Sequence, residues 1–162
     1  MRVLDIVAGT SVDGPGLRTS IYLAGCDHAC RGCHNPESWG HDSGHEMSVD
    51  EVMEVVRDND FNVTFSGGDP LYQAEAVTEL ARAVKSAGYT LWCYTGFTYE
   101  QIAVQPRFAP LMSLVDVLVD GPFVEELRDT SLLFRGSSNQ RLIDLNATRQ
   151  SGKPVIWSYP TE

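Results

Sequence analysis

The 162-residue sequence predicts an α/β fold, a mostly parallel sheet forming a partial, open barrel of strand–helix units. Three observations point there. Strand-like segments alternate with segments of helical spacing, the chain order of parallel βαβ units. Polar, glycine-rich stretches follow one strand after another, at the carboxyl edge where such sheets place ligands. The chain is also too short for a complete eight-unit barrel, which takes about 250 residues. It suits a single domain over residues 1–162 with a real hydrophobic core.

The elements follow in order. "RTSIYLAG" (18–25) is short, β-branched and aromatic, and it runs straight into the loop "CDHACRGCHN" (26–35). "MSVDEVMEVVRDND" (47–60) sets Val49, Val52, Met53 and Val56 at helical spacing, with Ser48 and Glu51 in a capping-box pattern. "FNVTFSGG" (61–68) is a strand ending in glycines. The next helix carries Val77, Leu80, Ala81 and Val84 on one face and stops at Gly88. "YTLWCYTG" (89–96) is a strand that again ends at glycine, and a short helix spans Thr98 to Ala103. A strand through Val115 to Val119 leads to Asp120-Gly121-Pro122. "QRLIDL" (140–145) and "PVIWSY" (154–159) read as strands, and Val124 to Asn139 as loop with one helical turn.

Composition narrows the function. Formal net charge is −10 and the twelve Lys and Arg residues are scattered. Such a surface repels phosphate backbones, so no nucleic-acid partner is expected and any large partner is a protein. No apolar run approaches the roughly 20 residues of a membrane helix. The amino terminus "MRVLDIVAGT" lacks signal-peptide organisation, and a cytoplasmic protein is expected. Four cysteines, three of them clustered, do not suit a secreted disulfide scaffold. Cys93, in an apolar run, reads as a small buried hydrophobe.

Cys26, Cys30 and Cys33 are the chemical signal. Thiolates suit zinc and iron–sulfur clusters. A zinc site needs a fourth ligand, which His28 or His34 would supply, but such sites usually draw paired ligands from two knuckles. A 4Fe–4S cluster normally takes four thiolates. Three leave one iron open to an exogenous ligand, and an open position signals chemistry rather than scaffolding.

The CxxxCxxC loop after an early strand resembles the signature of the radical S-adenosylmethionine enzymes. In that family the cosubstrate's amino and carboxylate groups chelate the fourth iron. "SVDGPGLRTSIYLAGC" resembles the segment before the cluster in activases of glycyl-radical enzymes, and "TFSGGDPL" the glycine-rich motif that binds the cosubstrate's amino group. "YTGFTYE", "VDVLVDGPF" and "LLFRGSSNQRLIDL" look like the small activases of anaerobic (class III) ribonucleotide reductase. The resemblance implies a radical S-adenosylmethionine barrel that holds a 4Fe–4S cluster and S-adenosylmethionine. It implies an oxidoreductase that abstracts hydrogen from a glycine of the reductase large subunit, fed by a one-electron reductant such as a flavodoxin. Two alternatives stand beside it, an activase of another glycyl-radical enzyme and a non-catalytic zinc-binding module.

The remaining site residues follow from the same comparison. Gly32 precedes the third cysteine where many radical S-adenosylmethionine enzymes carry an aromatic, and glycine there suits the activase subgroup. His34 and Asn35 are expected near the cosubstrate. Gly67 and Gly68 end a strand where side chains would block a ligand. Ser66 and Asp69 orient the ammonium group or cap a helix, and Asp120 is a further polar contact. Asp13 to Gly16 form a turn near the cluster or docking face, and His41 and His45 belong to surface loop. Arg135, Asn139, Gln140 and Arg141 are candidates for docking the protein substrate.

Overall fold

The computed structural model describes residues 1–33 and 36–158. Its sheet contains β1 (Arg2–Thr10), β2 (Arg18–Leu23), β3 (His45–Glu46), β4 (Asn62–Gly67), β5 (Leu91–Tyr94), β6 (Val117–Asp120) and β7 (Arg141–Asp144). In space they run β3-β1-β2-β4-β5-β6-β7. The central strands β2, β4, β5 and β6 are parallel. β1 joins β2, β3 joins β1 and β7 joins β6 in antiparallel pairs. The fold is thus mixed α/β with a mostly parallel sheet.

Among the described residues, α1 (Val49–Asn59), α2 (Ala74–Ser86), α3 (Tyr99–Ala103) and α4 (Ala109–Met112) connect strands, and α5 (Leu145–Ser151) follows β7. α1 begins where the capping box places it. Ser48 Oγ accepts from the Glu51 N–H, and the Glu51 carboxylate accepts from the Ser48 N–H, each at 3.1 Å. α2 buries Val77, Leu80, Ala81 and Val84. It is closed by Gly88 at φ +93°, a left-handed conformation that glycine adopts without strain.

Alternation along the strands assigns the two sheet faces. Ile21, Leu23, Val63, Phe65, Leu91, Cys93 and Leu118 share the main core with α1 and α2. The alternate positions carry Arg18, Ser20, Tyr22, Thr64, Ser66, Trp92 and Tyr94. On that second face Trp92, Val117 and Val119 meet Phe134, with Tyr94, Leu142 and Trp157 packed around them. Helices therefore cover one face, while the segment containing Phe134 and the chain's end cover part of the other. Arg18 lies only 2% exposed on this second face. Its Nε donates to Thr64 Oγ1 at 2.8 Å and its Nη2 to the Val63 carbonyl at 2.7 Å. Burial pulls its pKa down to about 10, still high enough to keep it charged at neutral pH.

Several elements depart from the sequence reading. His45 lies in the short exposed strand β3 rather than in loop, and α4 has no counterpart in that reading. β1 is the longest strand, yet most of its residues are partly or fully exposed, so it lacks a buried apolar signature. "PVIWSY" is not a full strand. Ile156 bridges Ile143, and the tail adds bonds from Asp144 N–H to the Val155 carbonyl and from Trp157 N–H to the Leu142 carbonyl. Pro154 cannot donate to such a ladder, and Tyr159 lies outside the described residues. α5 was not anticipated; Asp144 caps it by accepting from the Ala147 N–H at 3.0 Å.

Candidate cluster site at the carboxyl edge

The four parallel strands deliver their carboxyl ends to one edge. β2 leads into the cysteine loop, β4 ends at Gly67, β5 leads to Thr95-Gly96, and β6 to Gly121. A cavity of about 480 Å³ opens there, walled by Cys26, Cys30, Cys33, Ser66, Gly67 and Gly68. Its size falls within the roughly 300–1,000 Å³ of small-molecule sites.

Backbone bonds fix the cysteine loop. Gly25 N–H donates to the Ser38 carbonyl at 2.8 Å, Cys26 N–H to that of Trp39 at 3.2 Å, and Cys33 N–H to that of Cys30 at 3.1 Å. Gly32 turns the chain at φ +77°, and Arg31 pairs with Glu125 at 3.1 Å. Gly32 itself lies off the cavity wall, with Phe123 and Glu125 beside the position a Cβ would take. All three cysteines are half-buried free thiols. Burial pushes the Cys26 pKa up to about 11 and raises that of Cys30, so metal binding displaces their protons. Among the described residues no three Cys, His, Asp or Glu side chains group around a single ion. The thiols instead ring a cavity, a donor set that fits a cluster whose irons each take one thiolate.

The glycine motif has a tighter reason than ligand approach. A Cβ on Gly67 would lie 2.3 Å from the Leu23 nitrogen, and one on Gly68 would lie 2.5 Å from the Gly25 carbonyl oxygen. The end of β4 is pressed onto the start of the cysteine loop. Gly68 N–H donates to the Leu23 carbonyl and Asp69 N–H to that of Gly25, both at 2.7 Å. The motif's backbone locates the cluster loop while its open side faces the cavity.

Asp69 is 1% exposed and lies behind the cavity wall. One oxygen caps the following 3₁₀ turn through the Leu71 N–H at 3.0 Å. The other accepts from Thr95 Oγ1 and the Gly96 N–H, both at 2.9 Å, and meets His28 Nε2 at 2.7 Å. Its carboxylate is saturated by the chain, so of the two roles expected for Asp69 the structure shows the helix cap. Asp69 braces three pieces of the wall. His28, which does line the cavity, is engaged by Asp69 and packs edge-on to Phe97 at 4.6 Å, so its Nε2 is not turned toward a metal.

Asp120 is likewise behind the wall. Its oxygens accept from the Tyr99 N–H at 2.8 Å, the Arg141 N–H at 3.2 Å, and Arg141 Nε and Nη2 at 3.1 and 2.5 Å. Arg141 also forks onto Glu100 at 3.0 and 2.6 Å. Arg141 is thus a brace between β7, β6 and α3 rather than a free docking group. Asn139 Nδ2 is turned to the Pro122 carbonyl at 2.8 Å. Gln140 stitches its loop, accepting from the Gly136 and Ser137 N–H groups and donating to the Gly121 carbonyl. Arg135 and Gln140 do line the cavity. Arg135 is the one Arg or Lys doing so among the described residues, and its Nη1 donates to the Gln140 carbonyl at 2.5 Å. His34 and Asn35 lie outside the described residues.

Asp13, expected in a turn near the cluster or docking face, does line the cavity, but sequence reasoning missed its aromatic side, Tyr22 and Tyr94. The alternation that turns Tyr22 and Tyr94 onto one sheet face was visible in the strands, but nothing in the spacing showed that loops would close over that face.

Three half-buried thiols on one loop, at the carboxyl edge of a mostly parallel sheet, define a cluster-binding α/β protein. Residues 12–143 match the family described as a 4Fe-4S single cluster domain. The chain is 36% identical over 152 residues to the anaerobic ribonucleoside-triphosphate reductase-activating protein of Haemophilus influenzae, covering 86% of this chain and 96% of that one. It is 36% identical over 142 residues to the protein of that name from Escherichia coli K12, covering 80% and 89%. The bacteriophage T4 protein of that name is 34% identical over 139 residues, covering 81% and 86%. The chain belongs to the anaerobic ribonucleoside-triphosphate reductase-activating protein family. The crystal structure of QueE from Escherichia coli shares the fold at a TM-score of 0.51 and 16% identity, over 60% of this chain and 52% of that one.

Proposed function

We infer that this protein is an activating enzyme that installs a glycyl radical in an anaerobic ribonucleoside-triphosphate reductase. The observation that carries the reading is one cavity walled by both the cysteine loop and the glycine motif, in a chain matched along most of its length by proteins of that name. When bound, the 4Fe–4S cluster and S-adenosylmethionine supply a one-electron cleavage to methionine and a 5′-deoxyadenosyl radical, which takes hydrogen from the glycine.

The chain's own residues do the rest. Cys26, Cys30 and Cys33 would hold the cluster, one thiolate each, with the cosubstrate completing it. Ser66, Gly67 and Gly68 bound the space beside it, Asp69 fixes that wall from behind, and His34 and Asn35 follow the last thiol. Asp120 keeps α3 and β7 in register, and Arg135 offers a cation to the incoming peptide. The sheet is read as the partial, open barrel of radical S-adenosylmethionine enzymes, with its concave face toward the cavity. A one-electron reductant such as a flavodoxin and a cytoplasmic setting complete the proposal. No helix among the described residues is long and apolar enough to cross a membrane.

The test is anaerobic. Reconstituted protein should carry iron and inorganic sulfide, and with S-adenosylmethionine, reductant and the reductase it should give a glycyl electron-spin doublet. Alanine at Cys26, Cys30 or Cys33 should abolish cluster and doublet together. Stoichiometric zinc without sulfide would end this reading, and a doublet only in another glycyl-radical enzyme would redirect it.

A further inference from the structure

Two tyrosines line the cavity, Tyr22 from β2 and Tyr94 from β5. A phenolic O–H bond is weaker than a methyl C–H bond, so a primary carbon radical in this space would take that hydrogen downhill. Both hydroxyls point it elsewhere. Tyr22 donates to Asp13 Oδ2 at 2.7 Å, and the same oxygen accepts from Ser20 Oγ at 2.9 Å. Tyr94 donates to the Phe134 carbonyl at 2.5 Å. In each case the hydrogen is committed to a protein oxygen.

The acceptors are held in place. The Asp13 carbonyl is pinned by Thr64 Oγ1 at 2.8 Å. Phe134 is fixed at φ +63°, a conformation bulky residues avoid unless their surroundings impose it. Its ring sits against Trp92 at 5.4 Å. Burial, with help from Asp13, pushes the Tyr22 pKa up to about 12, so the phenol keeps its hydrogen well into alkaline pH. Ser66, also in the wall, needs no such arrangement because an aliphatic O–H bond is stronger than the C–H bond that would form. The Cys93 thiol lies in the helical core on the other sheet face.

We propose that Asp13 and the Phe134 carbonyl are positioning groups that park the phenolic hydrogens of Tyr22 and Tyr94 away from a carbon radical in the cavity, leaving the substrate glycine as the hydrogen source. This rests on the reading of function given above. Where parking fails, one hydrogen atom passes from phenol oxygen to the radical carbon. The O–H bond breaks, a C–H bond forms, and the products are 5′-deoxyadenosine and a neutral phenoxyl radical.

Deuterium oxide separates the two hydrogen sources, since phenols exchange and the glycine Cα–H does not. In a single turnover of the holoenzyme with the reductase, wild-type protein should yield 5′-deoxyadenosine free of solvent deuterium, alongside the glycyl doublet. Asp13→Ala should raise its deuterium content several-fold, produce a tyrosyl electron-spin signal and lower the glycyl yield. Adding Tyr22→Phe to Asp13→Ala should remove both the deuterium and the tyrosyl signal. Asp13→Asn, whose amide oxygen still accepts, should behave as wild type. In cluster-free protein the Tyr22 hydroxyl proton should be visible by NMR in wild type and lost by exchange in Asp13→Ala. Stoichiometric deuterium in the wild-type product overturns the proposal even if Asp13→Ala does not fold. So does Asp13→Ala without deuterium, or deuterium that persists in the double variant. A wild-type protein that makes no glycyl radical sinks the functional reading instead.

Discussion

A methyl group on Gly68 would sit 2.5 Å from the Gly25 carbonyl oxygen and 2.9 Å from that of Ser38. Those are backbone atoms, so no side-chain rotation relieves the clash, and overpacking of this kind costs about 1–3 kcal/mol. Gly25 and Ser38 are also the pair whose bond closes the base of the cysteine loop. Gly68→Ala is therefore expected to lower reconstituted iron content as well as S-adenosylmethionine affinity, with a Tm fall of roughly 2–12 °C. Full iron with weakened cosubstrate binding would show that the ligand, not the loop, needs the missing side chain. At this scale the convergence of the three cysteines and two glycines on one cavity was legible from spacing, because they lie at or after the ends of strands that the pattern located. Asp69 was read correctly as a cap, but the wider bracing by Asp69 and Asp120 was not visible. Their partners lie far along the chain, Thr95 and His28 for one, Tyr99 and Arg141 for the other.

The strands and helices with strong periodicity formed where the sequence put them, because α1 and α2 each bury one apolar stripe against a strand face. β1 and α5 were illegible because their stability is tertiary. β1 is a half-exposed flank annealed to β2, and α5 is a short helix held by the Asp144 cap. The stretch from Arg135 to Arg141 shows what element-level structure adds. The sequence offered two arginines there as equals, and the fold separates them. Arg141→Ala would leave the Asp120 carboxylate, 1% exposed, with only two backbone N–H partners. Stranding a buried charge costs up to about 3–5 kcal/mol. Arg141 is itself partly exposed, so about 2 kcal/mol, or roughly 4–8 °C in Tm, is expected. Arg135→Ala removes a cavity-wall cation with one carbonyl contact. It should keep Tm within about 2 °C while lowering affinity for the reductase and glycyl yield. Parallel losses of stability in both variants would refute this division of labour.

At the scale of the molecule, two apolar clusters occupy opposite faces of the same strands. Leu91 and Cys93 of β5 point into the helical core, while Trp92 between them anchors the other cluster with Phe134 and Trp157. Neither cluster survives without the strands it shares with its neighbour, so the whole chain should unfold as one unit. The two faces carry separate reporters. With Trp39 beside the cysteine loop replaced by Phe, tryptophan fluorescence reports on Trp92 and Trp157, which meet edge-on at 4.9 Å, and far-ultraviolet circular dichroism is weighted to the helices. In urea, the cluster-free protein should show coincident transitions by both probes, with one midpoint and a single set of folding parameters. A fluorescence transition at lower urea would mean that the Phe134 cover opens while the sheet and helices persist. The cavity would then have a detachable roof, and Tyr94 would lose its acceptor in that open state.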